Sequence, residues 1–447
     1  MKLDITNFDS LDQRTTYVLK LIFERWTGWE LGNFYSSDLS SWSDSVQIGN
    51  LSFGKVMIDS SERRKVTEHL ISSLFSASSS TGVRGLNGKK LSEVCEDTAA
   101  LDRDALTVIF FLISGEDEIS NVKRDKHNRF PSDASLLFRN GILDLPVVDL
   151  LAEYLQNKVM ADIPRLELNS PADRIRVSHD VDVPFKLAFK SLIDVPRVIA
   201  GDAYRRRNFS SIWRTPLDWM AVKSGRLERD PFNCFHRLLE GHDRAGRRAD
   251  FFFIAGHTGG RIDGDYTLND TPVRTLLKEI SCRGHQVGLH PSYFASVDQK
   301  VLTSEKDELE RTMHNLGIGI PLDSVRTHYL RFDPAVTPMV LKNCGFSTDS
   351  SLAFADFAGF RRGTCRSFPL WDWQSDEEIG LIENPLIAME VSLLASHYEG
   401  LNHEEAASRI DTLREECQRH RGTFSLLWHN NNFNSEKDFE LYEYAAR

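Results

Sequence analysis

The chain has 447 residues, 41% of them hydrophobic and 27% charged, and its 54 Lys and Arg against 65 Asp and Glu give a formal net charge of −11. That length allows two or three domains with a sizeable core. The acidic balance argues against general nucleic-acid binding and against an anionic membrane surface as a partner. Six cysteines (Cys95, Cys234, Cys282, Cys344, Cys365 and Cys417) form no Cys-x-x-Cys pair, which fits a reducing cytoplasm better than a disulfide framework. The N-terminal ten residues lack the apolar stretch of a signal peptide. The longest apolar run, Leu106 to Ile113, is too short to span a bilayer. The expected location is therefore cytoplasmic, with no membrane span; the oligomeric state is open.

Residues 1–165 read as one unit, α/β or α+β. Val46 to Phe53 alternates like a half-buried strand, and Leu106 to Ile113 reads as a buried strand. Ser72 to Ser80 reads as a helix end running into a loop. Val147 to Val159 has helical spacing, with Pro146 placed to start the helix. Arg124 to Pro131 is dense in polar groups and reads as a charged turn. No chemical constellation stands out in this half, and the clusters Arg205-Arg206-Arg207 and Arg361-Arg362 read as solvated loop charge.

From residue 166 to 447 the pattern changes to seven short apolar segments, most separated by helix-length stretches. They are Arg174–Asp182, Ala249–Gly256, His285–Ser292, Ser324–Arg331, Phe346–Leu352, Leu381–Ala388 and Thr423–Asn430. Such alternation predicts parallel strands with helical crossovers, closed into a barrel or a strongly curved sheet whose strand C-termini face the site. The polar residues at those ends are Asp180, Asp182, His257, His290, His328, Asp349, Glu383 and His429. An insertion at 183–248, with Trp213 and Trp219, reads either as a lid or packing arm or as a solvated helical excursion.

The chemistry concentrates in a few of these. Asp180 and Asp182, at i and i+2, leave a strand on the same side; one carboxylate on a metal and the other free as a base would relieve their repulsion. His290, at a strand-to-helix junction, is a candidate metal ligand. His328 reads as a ligand, a substrate contact or a core histidine, and its neighbours Arg326 and Arg331 as anchors for a carboxylate or an anionic substrate. His429, ending an apolar strand, suits a general acid. His257 and Glu383 are weaker candidates.

Together these segments resemble the polysaccharide deacetylase family, the NodB-homology carbohydrate esterases, over roughly residues 170–432. Ser178-His-Asp-Val-Asp182 is similar to the family's opening motif, Ala249 to Gly256 to its Phe-Phe element, Gly284 to His290 to its histidine motif, Arg326-Thr-His328 to its Arg-x-Pro, and Leu426-Leu-Trp-His429 to its last motif. Arg129 to Pro146, His179 to Asp182, Gly288 to Ser292 and Gly359 to Cys365 resemble a bacterial subgroup with an extra N-terminal domain, associated with capsule or O-antigen synthesis.

The resemblance implies an incomplete (β/α)7 barrel, with Asp180 as general base, His429 as general acid, Arg326 or Arg331 orienting Asp180 or the substrate, and Asp182 and His290 on a divalent metal, zinc or else cobalt or nickel. It implies hydrolysis of an N-acetyl group on a sugar, an intermediate of surface-glycan synthesis. The family's second metal histidine falls at Phe294, which cannot ligate. Either His328 fills the gap, or His179 or His257 does, or the metal is lost and the domain binds glycan without turnover. A cyclic-amide hydrolase of the allantoinase type is a further alternative.

Overall fold

The computed structural model describes residues 2–6, 8–34, 45–48, 50–75, 98–167, 174–205 and 211–447. The architecture is mixed α/β with two sheets, one on each side of residue 170. The first holds β1 (Lys2–Thr6), β2 (Glu30–Phe34), β3 (Ser45–Ile48) and β4 (Leu51–Gly54) in the order β2-β1-β3-β4. Helices α1 (Gln13–Leu19), α2 (Ser60–Phe75), α3 (Thr98–Ser114) and α4 (Val147–Asp162) accompany it.

Three expectations change here. Val46 to Phe53 is a hairpin, turning at Asn50, whose backbone N–H and side chain both donate to Asp162. The run Leu106 to Ile113 lies inside α3 and is buried all round. An eight-residue apolar run fits a fully buried helix as well as a strand, and the flanking Leu101 and Ala105 extend it at helical spacing without a Gly or Pro break. The Ser-rich stretch begins in α2, and its end lies outside the described residues.

The second sheet has nine strands in the order β10-β11-β9-β8-β7-β6-β5-β13-β12. They are β5 (Arg174–Val181), β6 (Ala249–Ile254), β7 (Gln286–His290), β8 (Ser324–Val325), β9 (Thr348–Asp349), β10 (Phe368–Asp372), β11 (Glu377–Glu383), β12 (Ala388–Met389) and β13 (Thr423–Leu427). Neighbours pair in parallel except β10 with β11, and the edge strands β10 and β12 do not meet, so the sheet is open. The expected strand 381–388 is two elements, the end of β11 and the start of β12, while 324–331 and 346–352 shrink to two paired residues each. The insertion carries α5 (Val195–Arg205), α6 (Ser211–Lys223) and α7 (Phe235–Arg244). The crossovers are α8 (Thr271–Cys282), α9 (Gln299–Asn315) and α10 (Thr337–Asn343), and α11 (His403–Arg419) and α12 (Glu436–Ala445) flank β13.

One apolar core runs from Leu3 to Leu381 through both sheets. Tyr17 and Phe110 each pack on Trp371 with centroids 5.1 Å apart, and Tyr17 donates to the Pro369 carbonyl at 2.7 Å. Segment Gly359 to Cys365 is the polar half of this junction. Arg361 and Arg362, expected in solvated loops, are buried: Arg361 grips Glu118 through two hydrogen bonds of 2.8 and 2.7 Å. Asp149 accepts from Thr364 Oγ1 and the Cys365 N–H, both at 2.8 Å. Gly359 has φ 152°, and a Cβ there would sit 2.5 Å from the Leu143 carbonyl.

His420, at the end of α11, bonds Glu153 of α4 at 2.9 Å and lies 3.6 Å from Glu416. Burial opposes its charge, but Glu153, Glu416 and Asp149 prevail and raise its pKa from 6.5 to about 9. A folded-state pKa above the unfolded value contributes stability that is complete below about pH 6.5 and lost as pH rises through about 9. Thermal melts of wild type and His420→Gln should therefore differ most at pH 6 and converge by pH 10; a gap that widens with pH would contradict this account.

Candidate active site

Asp180 and Asp182 stand at the C-terminal end of β5, His290 ends β7, and His429 follows β13, so parallel pairing brings them to one rim. They line a cavity of about 210 Å³ together with His328, Arg129, Tyr329, Tyr398, Asn431 and Asn432, and with Leu330, Ala355, Met389 and Leu427.

Arg326 fixes the first carboxylate. Its guanidinium is fully buried and donates to Asp180 Oδ1 at 2.9 Å, to Ser178 Oγ at 2.8 Å, and to the Ser350 carbonyl and hydroxyl at 2.9 and 2.8 Å. Its Cζ lies 4.5 Å from the Phe252 ring centroid. Phe252 in turn needs Gly288, where a Cβ would come within 2.5 Å of the ring. Arg326 thus fixes the Asp180 side chain through Oδ1 and leaves Oδ2 turned toward His290 Nε2, 3.8 Å away.

The two histidines are oriented by backbone carbonyls. His290 Nδ1 donates to the Arg326 carbonyl at 2.6 Å, and His328 Nε2 donates to that of Ile262 at 2.8 Å. Each ring therefore turns its other nitrogen inward, and those nitrogens, His290 Nε2 and His328 Nδ1, are 2.9 Å apart. Asp182 Oδ1 lies 3.2 Å from the first and 3.6 Å from the second, buried and, among the described residues, with no hydrogen-bond partner. All three ligand atoms fall within 4.8 Å of one another.

Two imidazole lone pairs and an orphaned carboxylate oxygen facing one point repel unless a cation or proton sits among them. Burial and the neighbouring ring keep His328 below its ordinary pKa, whereas the two carboxylates overcome burial to raise His290. Despite burial, His328, His290 and His429 hold Asp182 well below the usual carboxylate range. The set of two imidazoles and one carboxylate, each imidazole braced from behind, fits a divalent metal ion.

The chain strains to present His328. Tyr329 and Leu330, which follow it, both take left-handed φ values, 61° and 54°, a conformation costing on the order of 1–3 kcal/mol per non-glycine residue. Across the pocket, His429 Nδ1 donates to Glu390 Oε1 at 2.7 Å, and Asn432 donates to the same oxygen at 2.7 Å. Burial opposes charge on His429, but Glu390 and the two aspartates raise its pKa to about 10, so Nε2 carries a proton into the pocket, 3.7 Å from Asp182 Oδ2.

The remaining candidates lie elsewhere. Arg331 does not reach Asp180; it donates to the His127 and Tyr293 carbonyls and stacks over the Tyr293 ring, bracing the turn at 124–131. His179 is buried behind the site, donating to the Trp428 carbonyl at 2.8 Å and meeting His242 at 3.1 Å. His257 is exposed and outside the cavity lining, and Phe294 is a half-exposed surface residue. Glu383 is buried against Asp349, and both pKa values are raised by burial; for Glu383 the Asp349 charge adds to this. This pair of buried carboxyls lies away from the pocket lining.

Sequence reading missed Glu390 and Arg129. Glu390 follows the two-residue strand β12, too short to register as a strand end. Arg129 enters from the N-terminal half: Nε bonds Asp125 at 2.8 Å, and the guanidinium reaches the Tyr329 carbonyl at 3.0 Å and the Tyr398 hydroxyl at 3.3 Å. The turn expected at 124–131 exists, and it forms part of the pocket wall.

Among known families, the family of unknown function DUF7033 matches residues 5–164. A comparison with curated proteins gives no match. Among solved structures, the chain is similar to the crystal structure of a "putative polysaccharide deacetylase" from Mycobacterium smegmatis at 16% identity and a TM-score of 0.39, covering 62% of this chain and 84% of that one.

Arg326→Met leaves the Asp180 carboxylate buried without its partner, which should cost roughly 3–5 kcal/mol in urea unfolding. Adding Asp180→Asn to that variant should recover part of the loss by removing the stranded charge. A loss below about 1 kcal/mol would show that Asp180 does not depend on this guanidinium.

Proposed function

We propose that this protein is a metal-dependent hydrolase that removes an N-acetyl group from a sugar or polysaccharide intermediate, with residues 166–447 as the catalytic unit on an incomplete deacetylase-type barrel and residues 1–165 as a domain that completes the pocket through Arg129. One observation carries this reading. Two imidazoles, each aimed by a backbone carbonyl, converge with Asp182 on one point, between a carboxylate fixed by an arginine and a histidine held protonated by a glutamate.

Asp182, His290 and His328 would hold the metal, with His328 supplying the ligand that Phe294 cannot. A divalent metal there supplies Lewis-acid polarisation of an amide carbonyl and acidifies water. Asp180 is the base: Arg326 occupies Oδ1 and fixes the rotamer, leaving Oδ2 to take a proton from the attacking water. His429 is the acid, and its Nε2–H faces the pocket where an amine would leave. Glu390 holds the tautomer and stabilises the imidazolium, as a carboxylate behind a catalytic histidine does.

Leu330, Ala355, Met389 and Leu427 form an apolar wall beside those charges, against which the methyl of an acetyl group would pack. Tyr329, Tyr398, Asn431 and Asn432 offer hydrogen-bonding groups suited to sugar hydroxyls. The sequence resemblance points to a cytoplasmic precursor of a bacterial surface glycan as the substrate.

Acetate release from a panel of N-acetylated sugars tests the reading. Asp180→Asn should lower turnover by about 10²–10⁴-fold, the range for loss of a general base, while metal content stays at the wild-type level. Unchanged turnover, or no acetate released by the wild type from any acetylated sugar, would sink the proposal.

A further inference from the structure

The insertion after β5 has the wrong face outward for a helix in water. In α6, Thr215 and Val222 are buried, while Trp213, Leu217 and Met220, at i, i+4 and i+7, point outward with exposures of 79%, 60% and 53%. Ile193, just before α5, is 88% exposed and its neighbour Leu192 is 67% exposed. Surface hydrophobics scattered singly need no explanation, but a clustered set on one hairpin does.

The same segment reverses the sign of the chain. Among the described residues of 192–226, the two helices and the turn after them, five Lys and Arg stand against three Asp and Glu, a net +2 within a chain of −11. Arg197, Arg214, Lys223 and Arg226 are exposed on or beside the apolar helices. Basic residues flanking a Trp- and Leu-bearing face are the composition that lies in a lipid headgroup layer.

We infer that the hairpin α5–α6 docks on an anionic membrane surface, with Ile193, Trp213, Leu217 and Met220 entering the headgroup layer and the surrounding arginines meeting lipid phosphates. The inference is independent of the deacetylase reading. The charge of the whole chain, which argues against such a partner, averages over this local reversal. Lys190 ties the segment by an ion pair to Asp265, in the loop after β6, so the hairpin rises from the same strand ends as the pocket. Among the described residues no helix is long and apolar enough to cross a membrane, so the contact is peripheral.

Sedimentation of the full chain with vesicles tests this. With phosphatidylcholine and phosphatidylglycerol at about 3:1, binding should be at least tenfold stronger than to phosphatidylcholine alone and should weaken severalfold in about 0.5 M salt. Trp213→Ser/Leu217→Ser should lose at least tenfold in binding with an unchanged melting temperature. Ile193→Ser/Met220→Ser gives an independent second test should the first variant misfold. Wild-type protein that ignores anionic vesicles, or variants that bind as well as wild type, would overturn the inference. So would a wild-type dimer made monomeric by the substitutions, which assigns the patch to a second copy, or retention on nucleic acid without vesicle binding.

Discussion

A guanidinium taken wholly out of water is tolerable only when its donors and its charge are answered, and Arg326 is answered from three strands. Ser178 and Asp180 come from β5, Ser350 follows β9, and Phe252 of β6 closes the face of the ion. Through its own carbonyl Arg326 also sets the tautomer of His290. One residue therefore fixes Asp180, one ring of the proposed metal site and the spacing of the strands that carry them. Gly288, by leaving room for Phe252, belongs to the same device.

The N-terminal half joins this centre instead of hanging beside it. Glu118 and Asp149 sit in the core opposite Arg361, Thr364 and Cys365, and an ion pair so far from water persists only when its geometry is satisfied on both sides. The same interface brings Arg129 to the cavity, and Arg331 holds the turn that delivers it. A variant that loosens this junction would change the pocket as well as stability, which couples the two halves in function.

The sequence made the rim legible where a long strand ended in a reactive side chain. Asp182 and His429 follow, and His290 ends, parallel strands of five to eight residues, and alternation with helices is enough to put such ends on one side. It was less informative where pairing shrank to two residues, as at Thr348–Asp349 and Ala388–Met389, because register there is set by tertiary contacts. Arg331 and Arg326 looked equivalent in sequence, five residues apart; Arg326 reaches Asp180, whereas Arg331, beyond the left-handed turn at Tyr329 and Leu330, reaches the carbonyls of His127 and Tyr293. The contacts of Arg129 with Tyr329 and Tyr398, 200 and 269 residues away, have no local signature at all. The buried helix α3 was misread because an apolar run carries no period once both faces are covered.

Asp182, His290 and His328 are proposed to form one metal site, in which His328 supplies the ligand that Phe294 cannot. Metal content after exhaustive dialysis, in wild type beside His328→Ala, His179→Ala and His257→Ala, tests it most directly. Wild type should hold about one zinc, cobalt or nickel per chain, retained in the His179 and His257 variants and lost in His328→Ala. A wild type that holds no divalent metal after incubation with zinc, or a His328→Ala variant that holds it as tightly, would contradict it.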